Sequence, residues 1–331
     1  MTAPTISVAM SVYNNARHLA GAIESILRQD HDDFEFLIVN DGSSDGSGDI
    51  IDGFAAADRR IRAIHQDNRG LIASLNRLLD EARAPLIARM DGDDIALPAR
   101  FARQIAFLSA HPDYGIVGTW TNDIDETGAP RGRVSRDQPT SHEAAMAQLE
   151  TNNPLCHPSV MMRRDVVRAA GGYHAAYRHC EDYDLWLRLS ERTRLASIPE
   201  RLMLYRHSDD QVSSRHILAQ SLGAAVAWAA HVERVAGRAD PTEQLAALPP
   251  IDQLDALFGR AGVGDAIRAK VVANILHSPL ALRGEGLPLL LDHVRHGGKT
   301  DGLWRTAGRL VKFGAPARAL RLAAALAGPR R

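Results

Sequence analysis

Apolar positions in the first ninety residues alternate between two periods. The run ISVAMSVY, Ile6 to Tyr13, is apolar almost throughout and has the length of a buried strand. The next stretch, ARHLAGAIESILRQ, places Leu19, Ile23, Ile26 and Leu27 on one helical face. FEFLIVN, IRAIH and PLIARM again read as strands. Between them GDIIDGFAAAD, carrying Ile50, Ile51 and Phe54, reads as a helix. So does GLIASLNRLLDEA, carrying Leu71, Leu75, Leu78 and Leu79. This alternation predicts an α/β protein with a Rossmann-like, mostly parallel central sheet and helices on both faces. In such sheets ligands collect beyond the carboxyl ends of the strands, near a switch in strand order.

From Pro98 the pattern is more mixed. It predicts a helix from Pro98 to Ala110, a strand near YGIVGTW, a polar turn at DETGAP and a helix near HEAAMAQLE. After HPSVMMRR, the stretch EDYDLWLRLSE reads as a helix burying Leu185, Trp186 and Leu189, and LASIPERLMLYR as short strand-like pieces. Beyond about Arg215 the chain is rich in Ala and Leu, with helical patterning broken at ADPTEQ and LPPIDQ. The expected division is an α/β domain over 1–215 and a helical appendage over 216–331. No internal repeat stands out.

Composition narrows the class without naming it. The 331 residues are 45% hydrophobic and 24% charged, with a formal net charge of −1, which argues against a broad nucleic-acid surface. The two cysteines, Cys156 and Cys180, lack metal-type spacing and read as reduced thiols of a cytoplasmic protein. The start MTAPTISVAM lacks a basic leader region. LAQSLGAAVAWAAHV is shorter than the ~20 residues a spanning helix needs, so a soluble or peripheral protein is expected.

Two acidic clusters directly follow strands and should open on one sheet edge. In NDGSSDGSGDIID, Asp41 stands at a strand end, where a carboxylate can accept hydrogen bonds from a nucleobase. Helix capping by Ser44, Asp45 or Ser47 accounts for part of this stretch. A calcium loop is disfavoured because a strand precedes it and no partner loop appears. The order of Gly42, Gly46 and Gly48 does not fit a dinucleotide fingerprint, and a P-loop is absent. In ARMDGDDIALP, Asp91, Asp93 and Asp94 crowd the end of the fourth strand. Such anions repel unless a cation or hydrogen bonds compensate, and hard oxygens suit Mn²⁺ or Mg²⁺ shared with substrate phosphates. Asp93 is the expected direct ligand, Asp91 shares the ion or contacts ribose, and Asp94 is expected to be structural. A third cluster, Glu181 and Asp182, opens the EDYDLWLRLS helix. There a carboxylate can serve as general base or simply complement the helix dipole.

Taken in order, ISVAMSVYNNARHLAGAIESILRQ, FEFLIVNDGSSDGS, NRGLIASLNRLLDEA, PLIARMDGDDIALPARFARQIAFL, HPSVMMRRDVVRAAGGYHAAYRHCEDYDLWLRLS and LMLYRHSDDQVS resemble the family 2 glycosyltransferases of GT-A fold. The resemblance spans roughly the first two-thirds of the chain. It implies an inverting enzyme that moves a sugar from a nucleoside-diphosphate sugar, with UDP expected, to a hydroxyl of a glycan or lipid-linked glycan. A divalent ion at Asp91 and Asp93 goes with it. By the same match Asp41 and Tyr13 border the nucleoside, and Asn68 lines the donor pocket with Ser11, Asn14 and Gly92. Arg89 is expected to neutralise donor charge or to form a surface salt bridge. Asp182 takes the role of base, with Glu181 and His157 at the acceptor edge. Ser11 stands where family members usually carry proline, and YRHS places His207 one residue early for the family's metal-side histidine. Surface-polysaccharide or lipopolysaccharide assembly is the implied setting. The basic, apolar C-terminal stretch RLVKFGAPARALRLAAALAGPRR suits either packing or contact with the inner face of an anionic membrane. Competing readings are an inactive nucleotide-sugar-binding module and a sugar-phosphate nucleotidyltransferase. The latter needs a Gly-rich loop that SVYNNARH lacks.

Overall fold

The computed structural model describes residues 3–132, 137–207 and 216–328. By its internal contacts the chain forms two compact units, Met1–His174 with Leu185–Ser208 and Ala175–Asp184 with Asp209–Arg331.

The first unit begins with the alternation that the apolar pattern predicts. β1 (Ile6–Val12), α1 (Ala16–Leu27), β2 (Phe34–Asp41), α2 (Ser47–Ala57), β3 (Ile61–Gln66), α3 (Leu71–Glu81) and β4 (Leu86–Asp91) follow one another. β5 (Ile95–Ala96), α4 (Arg100–Ala110), β6 (Tyr114–Ile124) and α5 (His142–Leu149) come next. A 3-10 turn (His157–Ser159), β7 (Met161–Arg163), α6 (Arg164–Ala169), α7 (Glu181–Ser190) and β8 (Arg194–Arg206) complete the series. The first turn of α7 belongs to the second unit and its remainder to the first.

Among the described residues, eight strands form one sheet in the order β3-β2-β1-β4-β7-β6-β8-β5. β3, β2, β1 and β4 are parallel, β7 runs against both its neighbours, and β6 pairs β8 in parallel. All of β2 and nearly all of β1 and β4 are buried, which explains why these strands read as continuous apolar runs. The core joins Val8, Met10, Phe36, Ile38, Ala88 and Met90 of the sheet to Leu19, Ile23, Ile26 and Phe101 of the helices. The fully buried Leu185, Trp186 and Leu189 are the face expected of α7.

One element departs from the sequence pattern. LASIPERLMLYR is not a set of short pieces but part of one 13-residue strand, β8. Its pairing with β6 jumps from Thr119↔Ile198 to Trp120↔Arg201, so Pro199 and Glu200 bulge out of the ladder. Proline has no N–H to give the ladder, and a bulge accommodates it without ending the strand.

The second unit is helical. Its elements are α8 (Ile217–Val235), α9 (Leu254–Phe258), α10 (Val263–Ile275), α11 (Pro279–Arg283), α12 (Gly286–Arg295), α13 (Leu303–Lys312) and α14 (Pro316–Ala327). Leu282, Leu287, Leu290, Leu303, Leu310, Leu322 and Leu326 share one apolar core. The buried Tyr177 hydroxyl meets Thr242 Oγ1 at 2.8 Å, which ties the 175–184 segment to this unit. Among the described residues no helix is long and apolar enough to cross a membrane.

Candidate functional site

Parallel pairing sets the carboxyl ends of β1, β2 and β4 side by side. Ser11 is in register with Asp91 across β4, and Val12 with Asn40 across β2. Ser11 therefore sits within the sheet, while Tyr13 and Asn14 emerge exposed beyond it. Asn14 adopts a left-handed backbone, φ +50°, a conformation asparagine tolerates better than most residues. Its Oδ1 accepts from Ser44 N at 2.8 Å, and its own N–H donates to Ser43 Oγ at 3.0 Å. Asn15 N donates to Ser47 Oγ and Ala16 N to Asp45 Oδ2. The loops after β1 and β2 are thus laced together. Hydrogen bonds from Ser47 and Ala16 hold the Asp45 carboxyl below its ordinary range, although its slight burial works the other way.

Asp41 is buried, and its carboxylate turns to the loop after β3. Oδ1 accepts from Gln66 Nε2 at 2.7 Å and Arg69 N at 2.9 Å, and Oδ2 accepts from Gly70 N at 2.9 Å. Gly42, at φ +75°, lets this loop come close: a Cβ there would lie 2.7 Å from Asn68 N. Asn68 precedes the two anchored amides and is itself exposed. Gly42→Ala is expected to destabilise the fold by about 1–3 kcal/mol, through a positive φ and a backbone clash together. Thermal unfolding with and without UDP should show a lower midpoint and a smaller nucleotide shift.

The aspartates after β4 do cluster. One carboxylate oxygen from each of Asp91, Asp93 and Asp94 lies within 4.8 Å of the others. Gly92 between them packs on the first loop, where a Cβ would sit 2.9 Å from Asn15 Nδ2. Burial and then the Asp91 charge push the Asp93 carboxyl up to about 6. Burial and the charges of Asp93 and Asp91 push Asp94 well above the carboxylate range. Asp94 Oδ1 accepts from Arg206 N at 2.7 Å, but its buried Oδ2 has no hydrogen-bond partner. Three clustered carboxylates, one of which also holds a buried oxygen with no hydrogen-bond partner, fit a divalent cation.

Three arginines surround this loop in different ways. Arg89 is buried and ion-paired with Asp91. Burial opposes its charge, yet Asp91 more than offsets that and holds the guanidinium above its ordinary value. The surface salt bridge expected of Arg89 is therefore corrected: the bridge exists, but inside the protein. Arg100 is fully buried and forms no ion pair with a carboxylate among the described residues. Its NH2 donates to Arg89 O at 2.7 Å and Val160 O at 3.3 Å, and its Nε donates to Gln104 Oε1 at 3.1 Å. Burial brings its pKa down to about 9. Arg206 ends β8 with its Nε on Asp93 O at 2.7 Å and its NH1 on Asp125 O at 2.9 Å. Arg100 and Arg206 went unremarked in the sequence, where each is one arginine among many. The distant carbonyls they hold only the fold reveals.

His157 is buried in the 3-10 turn, with Nε2 2.7 Å from the Tyr173 hydroxyl and its ring edge-on to Trp186. Burial, reinforced by the Arg89 charge, keeps it neutral. His207 is not in the aspartate cluster; its Nε2 lies 3.3 Å from Asp123 Oδ1. Glu181 and Asp182 open α7, and Asp182 Oδ1 accepts from Tyr183 N at 2.7 Å. Both thiols are free.

A sheet whose parallel half ends in two laced loops and an aspartate cluster is that of GT-A glycosyltransferases. The family described as Glycosyl transferase family 2 matches residues 7–171, and the chain belongs to it. It is 38% identical over 217 residues to the putative glycosyltransferase EpsE of Bacillus subtilis (strain 168), covering 64% of this chain and 76% of that protein. With the amylovoran biosynthesis glycosyltransferase AmsE of Erwinia amylovora the identity is 32% over 213 residues, covering 63% and 79%. The crystal structure of S. aureus TarS 1–349 in complex with UDP-GlcNAc superposes with a TM-score of 0.60 at 13% identity, over 97% of this chain and 90% of that one. The protein is a glycosyltransferase, which sets aside the inactive module and the nucleotidyltransferase.

Proposed function

We propose that the protein transfers a sugar from a UDP-sugar, with inversion, to a hydroxyl of a glycan or lipid-linked glycan during surface-polysaccharide assembly. The observation that carries this is the aspartate cluster on the edge shared by the ends of β1, β2 and β4. A relative named for amylovoran biosynthesis and a structural neighbour solved with UDP-GlcNAc support the acceptor class and the donor.

In this reading Asp41 and Tyr13 border the nucleoside and Asn68 lines the donor pocket, while Asp41 also fixes the backbone next to Asn68. Ser11 and Asn14 set the course of the first loop, and Gly92 lets it approach. Asp93 and Asp91 would hold Mn²⁺ or Mg²⁺, with Asp94 completing the set. Such an ion supplies charge that stabilises the departing diphosphate. Arg89 holds Asp91 in place and lends positive charge to the same region. Asp182 takes the proton of the acceptor hydroxyl as that oxygen attacks the anomeric carbon, opposite the breaking bond to UDP. Glu181 and His157 are the residues proposed for the acceptor edge. His207 stays on Asp123, outside the metal set.

A thermal-unfolding screen of nucleotide sugars with Mn²⁺ tests the reading. A UDP-sugar should raise the midpoint, since a ligand of the folded state stabilises it by about 2.7 kcal/mol at a hundredfold its Kd. A shift with GDP-sugars alone would sink the UDP assignment.

Metal affinity should also depend on pH. The raised Asp93 value, about 6 against 3.8, means that the folded protein keeps a proton which the unfolded chain releases. Stability without metal therefore falls as pH rises through 3.8 to about 6, and the full cost is present above that window. A cation must displace this proton, so Mn²⁺ titrations should show tighter binding at pH 7 than at pH 5. Equal affinity at both would argue against Asp93 as a ligand.

A further inference from the structure

We infer that the outward faces of α13 and α14 form a docking surface for an anionic lipid bilayer. The inference does not depend on the reaction proposed above.

Each helix has one face accounted for. Leu303, Ala307 and Leu310 of α13, and Ala319, Leu322 and Leu326 of α14, lie in the apolar core of their unit. The opposite faces are what remain. On α13, Trp304 and Val311 stand two turns apart and are 58% and 55% exposed, and Leu320 of α14 is 72% exposed. Arg305 and Lys312 follow them at the same two-turn spacing, and Arg321 follows Leu320. Leu303–Ala327 contains five basic residues and no acidic one, in a chain whose formal net charge is −1.

Two of those five turn back into the protein. Arg309 reaches His277 Nδ1 at 2.6 Å and Thr306 Oγ1 at 2.8 Å, and Arg318 reaches the carbonyls of Leu282 and Gly284. Arg305, Lys312 and Arg321 are exposed and form no ion pair among the described residues. What covers this face must therefore be anionic and also accept apolar side chains.

A bilayer of anionic lipids has both properties. Its headgroups meet the cations, its interface takes up tryptophan, and the acyl boundary takes valine and leucine. A nucleic-acid backbone would answer the charge alone and leave Val311 and Leu320 in water. No spanning helix occurs among the described residues, so the contact is peripheral.

The test is sedimentation of the full chain with phosphatidylglycerol–phosphatidylcholine vesicles against phosphatidylcholine vesicles. Binding should require the anionic lipid, weaken at high salt, and fall roughly fivefold for each charge removed in Arg305→Ser, Lys312→Ser and Arg321→Ser combined. Trp304 is the only exposed tryptophan of the four, so vesicles should blue-shift the emission and Trp304→Phe should remove that shift. Because all four residues are exposed, unfolding midpoints should match the parent; salt dependence and emission of the parent protein need no variant. Equal binding to neutral vesicles, no binding to either, or an undiminished triple variant would overturn the proposal. So would retention by duplex DNA or an acidic protein without any vesicle-induced blue shift.

Discussion

Asp182→Asn is expected to slow sugar transfer by ~10²–10⁴-fold while leaving UDP and metal binding close to normal. That range corresponds to about 2.7–5.5 kcal/mol of barrier. The substitution isolates the proton-accepting function. Asparagine keeps the Oδ1 that accepts from Tyr183 N, so the start of α7 retains its hydrogen bond. The negative charge and its basicity are lost, and the second carboxylate oxygen is replaced by an amide nitrogen that donates. Turnover should be measured alongside nucleotide-induced thermal stabilisation, because a defect in folding would lower both. Transfer that survived at near-parental rate would assign the base to another carboxylate and reduce Asp182 to a partner of the helix dipole.

The second large effect is expected at Asp93. Replacing it with alanine should abolish the Mn²⁺-dependent part of UDP binding, and with it most turnover. Stability without metal should move the other way. The parent holds three carboxylates within 4.8 Å, and Asp94 is pushed up by the charges of Asp93 and Asp91. Deleting one anion relieves this repulsion, so the metal-free variant should unfold at the same temperature or higher. Loss of function with gain of stability marks a site strained for a ligand, and a simple packing defect gives the reverse. Unfolding midpoints with and without Mn²⁺ and UDP decide between these outcomes. A variant that keeps its metal shift would remove Asp93 from the ligand set.

Much of the sheet was legible because its strands are buried on both faces and its helices carry one apolar stripe. β1, β2 and β4 with α1 to α3 show this directly. Periodicity fails where a strand breaks its own ladder. Pro199 and Glu200 interrupt β8 in sequence but only bulge from it in space, because the pairing of β6 with the rest of β8 holds on both sides. In the site, the aspartates at 91, 93 and 94 could be found because adjacent like charges at a strand end need an explanation. What periodicity cannot supply is the partner of each polar group. Asp41 is expected to accept from a base, and periodicity carries no sign that it also accepts within the protein, from Gln66 and Arg69 at Oδ1 and from Gly70 at Oδ2. Asp94 was assigned a structural part; its Oδ1 has one in accepting from Arg206 N, and its carboxylate belongs to the cluster as well. Arg89 offered no sign of burial, since an arginine after PLIA is equally compatible with the surface. These distinctions depend on contacts between residues far apart in the chain.

The loop after β3 is anchored through its amides, with Arg69 N and Gly70 N on Asp41 and Asn68 N close against Gly42, while the side chains of 67–69 face outward. Such an arrangement uncouples shape from chemistry. On the donor placement proposed above for Asn68, libraries randomised at 67–69 would vary what the rim offers a sugar nucleotide without disturbing the scaffold beneath. This short stretch is thus a natural starting point for re-engineering donor preference.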